Sequence, residues 1–244
     1  SSYEKFQQIR EQTESERQAA KRPHEVLYFH KVDDPYSHLT MQCVEKLISS
    51  YEITLKFILV GEENLETVHE PSLYNIYCLQ DVNRIAPFYN IDFQAHEYPA
   101  KELVEKANSI LTAAKSDDLI EIANKVSSAL WEGDIGTLDK LSSTYFATKA
   151  EVKENLIQGN KIRDAKGYYF GSAFYYEKEL YWGVDRLPYL EERLAELGAK
   201  KAHQIQNICP LKLEAPSKFT SDKKVNLYYY PSLNSPYTFV STKR

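Results

Sequence analysis

At 244 residues and 43% hydrophobic, the chain can bury the core of one elaborated domain or two modest ones. Its formal net charge of -5, with both signs interspersed, offers no basic stripe and argues against a nucleic-acid partner. No apolar run approaches the ~20 residues that a membrane span requires, so no membrane association is expected.

Residues 2–22 are polar and helix-prone, with acidic Glu4, Glu11 and Glu14 set against basic Arg10, Arg17 and Lys21. Their thin apolar content predicts a helix that must dock, on the domain or on a partner. After Pro23, the stretch EVLYFHKVDDPYSHL (residues 25–39) reads as a buried strand running into a helix start. Asp34 can cap that helix by accepting from its first amides, and Pro35 suits the first turn because no donor is lost there. Tyr36, Leu39, Val44, Leu47 and Ile48 give the helix an apolar face. A second strand follows over Ile53–Val60, completing a βαβ unit whose crossover is expected to be right-handed.

From about Asn64 to Gly167 the pattern is helical: Leu73–Phe88, Lys101–Ala114, Asp117–Trp131, a new start near Ile135, and Lys149–Ile162. Strand character returns at Phe170–Tyr176 and Glu179–Trp182, a hairpin turning at Glu177–Lys178. The last helix opens at Gly183, carries Leu187, Leu190, Leu194 and Leu197 on one face, and closes at Gly198. The order β-α-β, helices, β-β-α is that of an α/β, thioredoxin-like fold with an all-helical insertion between the second and third strands. The expected divisions are residues 1–22 as the N-terminal helix, 23–62 and 168–198 as the thioredoxin-like domain, and 63–167 as the helical insertion. Residues 199–224 read as a linker and 225–244 as the start of a second, truncated unit.

The strand–Asp34–helix junction admits several chemistries. His30, Asp33, Asp34 and His38 are ligand types suited to a divalent cation, although a histidine on the strand need not turn toward the aspartates. Asp33 and Asp34 could share a proton as an acid/base pair, against which stands the tendency of adjacent side chains to diverge. His24, His69, His96 and His203 sit in polar contexts and are expected at the surface. Cys43, Cys78 and Cys209 are widely spaced and form no Cys-x-x-Cys. They read as buried thiols in a reducing, cytoplasmic setting rather than as a disulfide framework or a zinc cluster.

Three stretches resemble the kappa-class glutathione transferases and the 2-hydroxychromene-2-carboxylate isomerases of the DsbA-like thioredoxin superfamily. Asp34-Pro35-Tyr36-Ser37 stands where that family has Ser-Pro-Tyr-Ser. Tyr77 through Asp81 to Arg84, with Ala86 and the Trp131–Ile135 segment, is similar to the family's helical insertion. Tyr181-Trp182-Gly183-Val184-Asp185-Arg186-Leu187 is similar to its Phe-x-Gly-x-Asp-Arg-Leu signature. The resemblance runs from about residue 25 to 198. It implies glutathione as cofactor, a small electrophilic substrate, and pairing as a homodimer or against the chain's own second domain. It further implies a mechanism in which a glutathione thiolate, held by a serine hydroxyl at the helix N-terminus, adds to an electrophilic carbon and is later eliminated.

Carried onto this chain, the resemblance makes Asp34 and Ser37 the catalytic candidates. It makes Tyr36, Tyr74, Ser172, Ala173, Asp185 and Arg186 the ligand-binding ones. Asp34 replaces the serine whose hydroxyl donates a hydrogen bond to the glutathione thiolate, and an ionised carboxylate has no proton to give and repels a thiolate. Ser37 could take over as hydroxyl donor one turn inside the helix. Tyr74 falls near the position of the family's lysine, and Ala173 replaces the family's cis-proline, so a trans peptide is expected there. With no Cys-x-x-Cys, dithiol exchange is not expected. The segment VNLYYYPSLNSPYTFVSTKR, from Val225, repeats the strand–Pro-Tyr pattern with Ser235-Pro236-Tyr237-Thr238 and so keeps a serine at the matching position. The expected protein is therefore an isomerase/transferase-like tandem, with a degenerate first site and Ser235 in the competent one. The alternative is a non-catalytic interaction or scaffolding module of the same fold.

Overall fold

The computed structural model of the chain describes residues 2–61, 70–203, 206–210, 226 and 228–231. Residues fall into two compact units, Ser1–Leu211 and Lys212–Arg244. The second contains the repeat at Val225; Ser235 lies outside the described residues, and Tyr228 and Tyr230 are exposed.

The first unit begins with α1 (Ser2–Ala19), followed by β1 (His24–His30), α2 (Pro35–Ser50) and β2 (Ile53–Leu59). Between β2 and the next strand, the described residues hold only helices. These are α3 (Pro71–Ile85), a 3-10 turn at Ala86–Tyr89, α4 (Lys101–Ala113), α5 (Leu119–Glu132), α6 (Ile135–Ser142) and α7 (Lys149–Ala165). The hairpin β3 (Ala173–Tyr176) and β4 (Glu179–Trp182) leads into α8 (Gly183–Glu196). The sheet order is β2-β1-β3-β4, with β1 parallel to β2 and antiparallel to β3, and β3 antiparallel to β4. This is the expected thioredoxin-like order. No described helix is long and apolar enough to cross a membrane.

β1 is central, and its residues from Val26 to His30 are all buried. Val26 and Tyr28 join the large core beneath α2, α5 and α8, whereas Leu27 and Phe29 pack with Val60 and Ala173 in a smaller one. The alternation of a strand thus serves two cores at once, which is why the stretch is apolar throughout rather than every second residue. On α2, Leu39, Val44 and Leu47 face the large core as their spacing predicts, and on α8 Leu187, Leu190 and Leu194 do the same. α7 approaches the sheet at Gly159, where an added Cβ would lie 1.9 Å from the Leu59 carbonyl oxygen.

Two expectations need correction. The third strand starts at Ala173 and not at Phe170, because Ser172 has a left-handed backbone (φ 55°) that interrupts extended pairing. His24, expected at the surface, is half-buried, with Nδ1 2.6 Å from the Tyr176 hydroxyl; burial lowers its pKa. The N-terminal helix docks on the domain itself. Arg10 donates to Glu179 on β4 through Nε (3.0 Å) and Nη2 (2.5 Å), and Arg193 of α8 donates to the Arg10 carbonyl at 3.3 Å.

Candidate functional site

The junction after β1 is built by hydrogen bonds that reach only two or three residues along the chain. Asp34 is the N-cap of α2, with extended backbone. Its Oδ1 accepts from the Tyr36 amide at 3.2 Å and its Oδ2 from the Ser37 amide at 2.9 Å. Ser37 adds its hydroxyl, donating to the same Oδ2 at 2.7 Å while accepting from the Lys31 amide at 3.3 Å. Ser37 is fully buried. The hydroxyl considered as a donor to a ligand is therefore spent inside the cap.

Gly171 closes this arrangement from the side. A Cβ there would meet Ser37 Oγ at 2.8 Å, Lys31 Cβ at 2.9 Å and Asp34 Oδ2 at 3.1 Å, so only glycine lets the loop before β3 lie this close. Ser172 follows, buried, its Oγ 2.7 Å from Thr40 Oγ1, and its carbonyl accepts from the Gly183 amide at 2.7 Å. Ala173 is buried at the start of β3, opposite Phe29 and Trp182. Its peptide bond is trans, as is every described one.

On the open side lies a cavity of about 180 Å³, lined in part by Tyr36, Asp81, Tyr89, Trp182 and Asp185. Tyr36 donates its hydroxyl to Asp81 Oδ2 at 2.8 Å, tying the α2 N-terminus to α3, and its ring packs 4.9 Å from that of Trp182. Burial, then the Asp81 bond, pushes the Tyr36 phenol far above its ordinary range. Burial also raises Asp185, with Asp81 adding to the effect and Arg186 opposing it. Asp185 and Arg186 form an ion pair at 3.3 Å, both substantially exposed. Tyr74 stacks on Phe170 with centroids 5.9 Å apart.

The structure thus gathers Asp34, Tyr36 and Ser37 with Ser172 and Ala173 around the α2 N-terminus, and brings Asp185 to Tyr36 across the cavity. Asp81, Tyr89, Trp182 and Gly171 belong to the same site, although the sequence reading did not name them as site residues. Asp81 lies within the quoted Tyr77–Arg84 stretch, but its reach to Tyr36 across 45 positions leaves no local pattern.

The other chemistries considered for this junction can be placed too. Asp33 pairs with the Lys31 ammonium at 3.7 Å, whereas the Asp34 carboxylate accepts from the Ser37 amide. His30 Nδ1 is 3.1 Å from the Tyr28 hydroxyl, and His38 Nδ1 is 2.8 Å from Ser127 Oγ. Both rings are buried, and burial lowers them to about 3 and about 4 respectively. Among the described residues, no group of three or more His, Cys, Asp or Glu is arranged to hold a metal ion. Cys78, a buried thiol on α3 whose pKa is also affected by Tyr74, Tyr36 and Asp34, is pushed up to about 11, mainly by burial. It is protonated at neutral pH and cannot act as a ready nucleophile.

No protein-family model matches the sequence, and no curated relative does. Among solved structures, the chain is similar to a 2-hydroxychromene-2-carboxylate isomerase, at 21% identity and a TM-score of 0.53, covering 71% of this chain and 96% of that one. It is also similar to a "putative protein disulfide isomerase" from Nitrosomonas europaea, at 14% identity and a TM-score of 0.54, again covering 71% and 96%. The fold is the DsbA-like, thioredoxin-like one.

Proposed function

We propose that this chain is a 2-hydroxychromene-2-carboxylate isomerase-like (kappa glutathione transferase-like) protein whose Asp34 site has lost its thiol chemistry. The observation that carries the reading is the double use of Asp34 Oδ2, which takes both the amide and the hydroxyl of Ser37 while Gly171 lies against them. A helix N-terminus normally offers such donors to an anion. Here an internal carboxylate already occupies them. Asp81 and Asp185 also line the adjoining cavity, and their negative charge disfavours both the thiolate and the carboxylates of glutathione. Without a reactive thiolate at the α2 N-terminus, dithiol exchange has no nucleophile there.

The test is calorimetry with reduced glutathione on the chain and on Asp34→Ser. No binding at micromolar concentration is expected from the natural sequence, and measurable binding there overturns the reading. Binding recovered by Asp34→Ser would locate the loss at the cap; none would extend it to Tyr74 and Ala173. A second reading, a non-catalytic interaction module, is favoured by Leu73, Ile76 and Tyr77, which α3 leaves exposed beside the site. It gains ground if neither form binds glutathione.

A further inference from the structure

Two cysteines that the sequence keeps 166 positions apart meet in the core. Cys43 lies on the buried face of α2, Cys209 in the short segment 206–210, and their sulfurs are 3.4 Å apart. Both are free thiols and both are buried. The chain reaches this point by following the end of α2. Tyr51 bridges to Lys200, the Glu52 amide donates to the Ala199 carbonyl at 2.7 Å, and the Lys201 amide donates to Ser50 at 2.9 Å. The last anchor is Glu191 of α8, fully buried, whose carboxylate accepts from the Ile208 amide at 3.0 and 3.1 Å and from the Tyr51 hydroxyl at 3.1 Å.

We propose that Cys43 and Cys209 are an oxidant-responsive modification site that forms an intramolecular disulfide and staples segment 206–210 to α2. Closing 3.4 Å to the ~2.05 Å of a disulfide needs only a small shift of a short segment. The oxidant is a peroxide. Opening of segment 206–210 exposes Cys209, whose thiolate attacks the peroxide oxygen. Its proton leaves to solvent, the O–O bond breaks, and hydroxide departs to become water, leaving a sulfenic acid. When the segment returns, the Cys43 sulfur attacks the sulfenic sulfur, the S–O bond breaks, and a second water leaves with the Cys43 proton. The two thiols lose two electrons and one hydrogen peroxide becomes two waters, so the step balances.

Contact with Cys43, together with burial, raises the Cys209 thiol above its ordinary range. Reaction in the closed state is therefore slow, and its rate follows opening of the segment. Cys78 is buried elsewhere, beside Tyr36, and has no thiol partner of this kind among the described residues.

The experiment treats the full, folded chain with hydrogen peroxide and maps disulfides by non-reducing digestion and mass spectrometry. The expected product is a monomer lighter by two hydrogens, with a single peptide pair linking Cys43 to Cys209 and with Cys78 still alkylated after unfolding. Its thermal midpoint should rise, exchange of the Ile208 amide should slow at least tenfold, and both should revert on reduction. A link that uses Cys78, a link between chains, or Cys209 oxidised to sulfinic acid without a cross-link overturns the proposal. So do Cys43 and Cys209 that both remain alkylatable after treatment sufficient to oxidise free glutathione completely.

Discussion

At one end of the sheet Asp34 is met by donors of its own helix, two amides and a hydroxyl within three residues. At the other end Glu179 is met by charges from two other elements: Arg10 on α1, 169 positions away, through two hydrogen bonds, and Arg193 on α8 as an ion contact at 3.2 Å, with Tyr181 donating at 2.7 Å. The first arrangement fixes local conformation and fills a place where a ligand could bind. The second draws α1 onto β4 and α8, elements more than 150 positions from it in the chain. A carboxylate held by its own neighbours can be exchanged at modest cost, whereas one that neutralises two arginines cannot.

The largest expected effect separates the two ends by pH. His30 and His38, near the Asp34 end, sit at about 3 and about 4, below their ordinary 6.5. The unfolded chain takes up these protons near pH 6.5 while the folded chain does not. Stability present above that pH is then lost as pH falls toward 3, by up to about 1.4 kcal/mol per group per pH unit. Urea midpoints that stay level between pH 7 and 4 would contradict this.

Next comes Glu179→Ala, which strands the buried guanidinium of Arg193 and the half-buried one of Arg10 and should cost about 3 kcal/mol in chemical denaturation. A loss below about 1 kcal/mol would mean that α1 is held by other contacts. Gly171→Ala should cost about 1–3 kcal/mol, because its methyl must displace Ser37, Lys31 or the Asp34 carboxylate. A neutral result would show the loop freer to move than its packing implies. Asp34→Ala should cost about 1 kcal/mol, the usual value of a lost cap. A penalty as large as that of Glu179→Ala would erase the distinction between the two ends.

The same contrast explains what the sequence discloses. Asp34-Pro35 announces the cap because a cap is a contact between near neighbours, and the leucines of α8 announce their face because helical spacing is local. The order of elements, and with it the fold, follows from such local signals. Arg10 and Glu179 lie 169 positions apart with ordinary polar surroundings, so neither forecasts the other. Gly171 shows no motif at all; its need for glycine arises only when the loop meets the finished cap. Ser37 looked available because a serine near a helix start commonly is, and sequence cannot tell that its hydroxyl turns back to Asp34.

The sheet order leaves β2 at an edge. Its outward residues include Lys56, more than half exposed and 2.6 Å from Glu25 of the neighbouring strand. A charge in the middle of an edge strand discourages another chain from adding its own strand there. Lys56 therefore guards solubility as well as pairing with Glu25. Lys56→Val should leave the fold intact but raise light scattering on gentle heating, and a variant that stays as clear as the natural chain would remove that role.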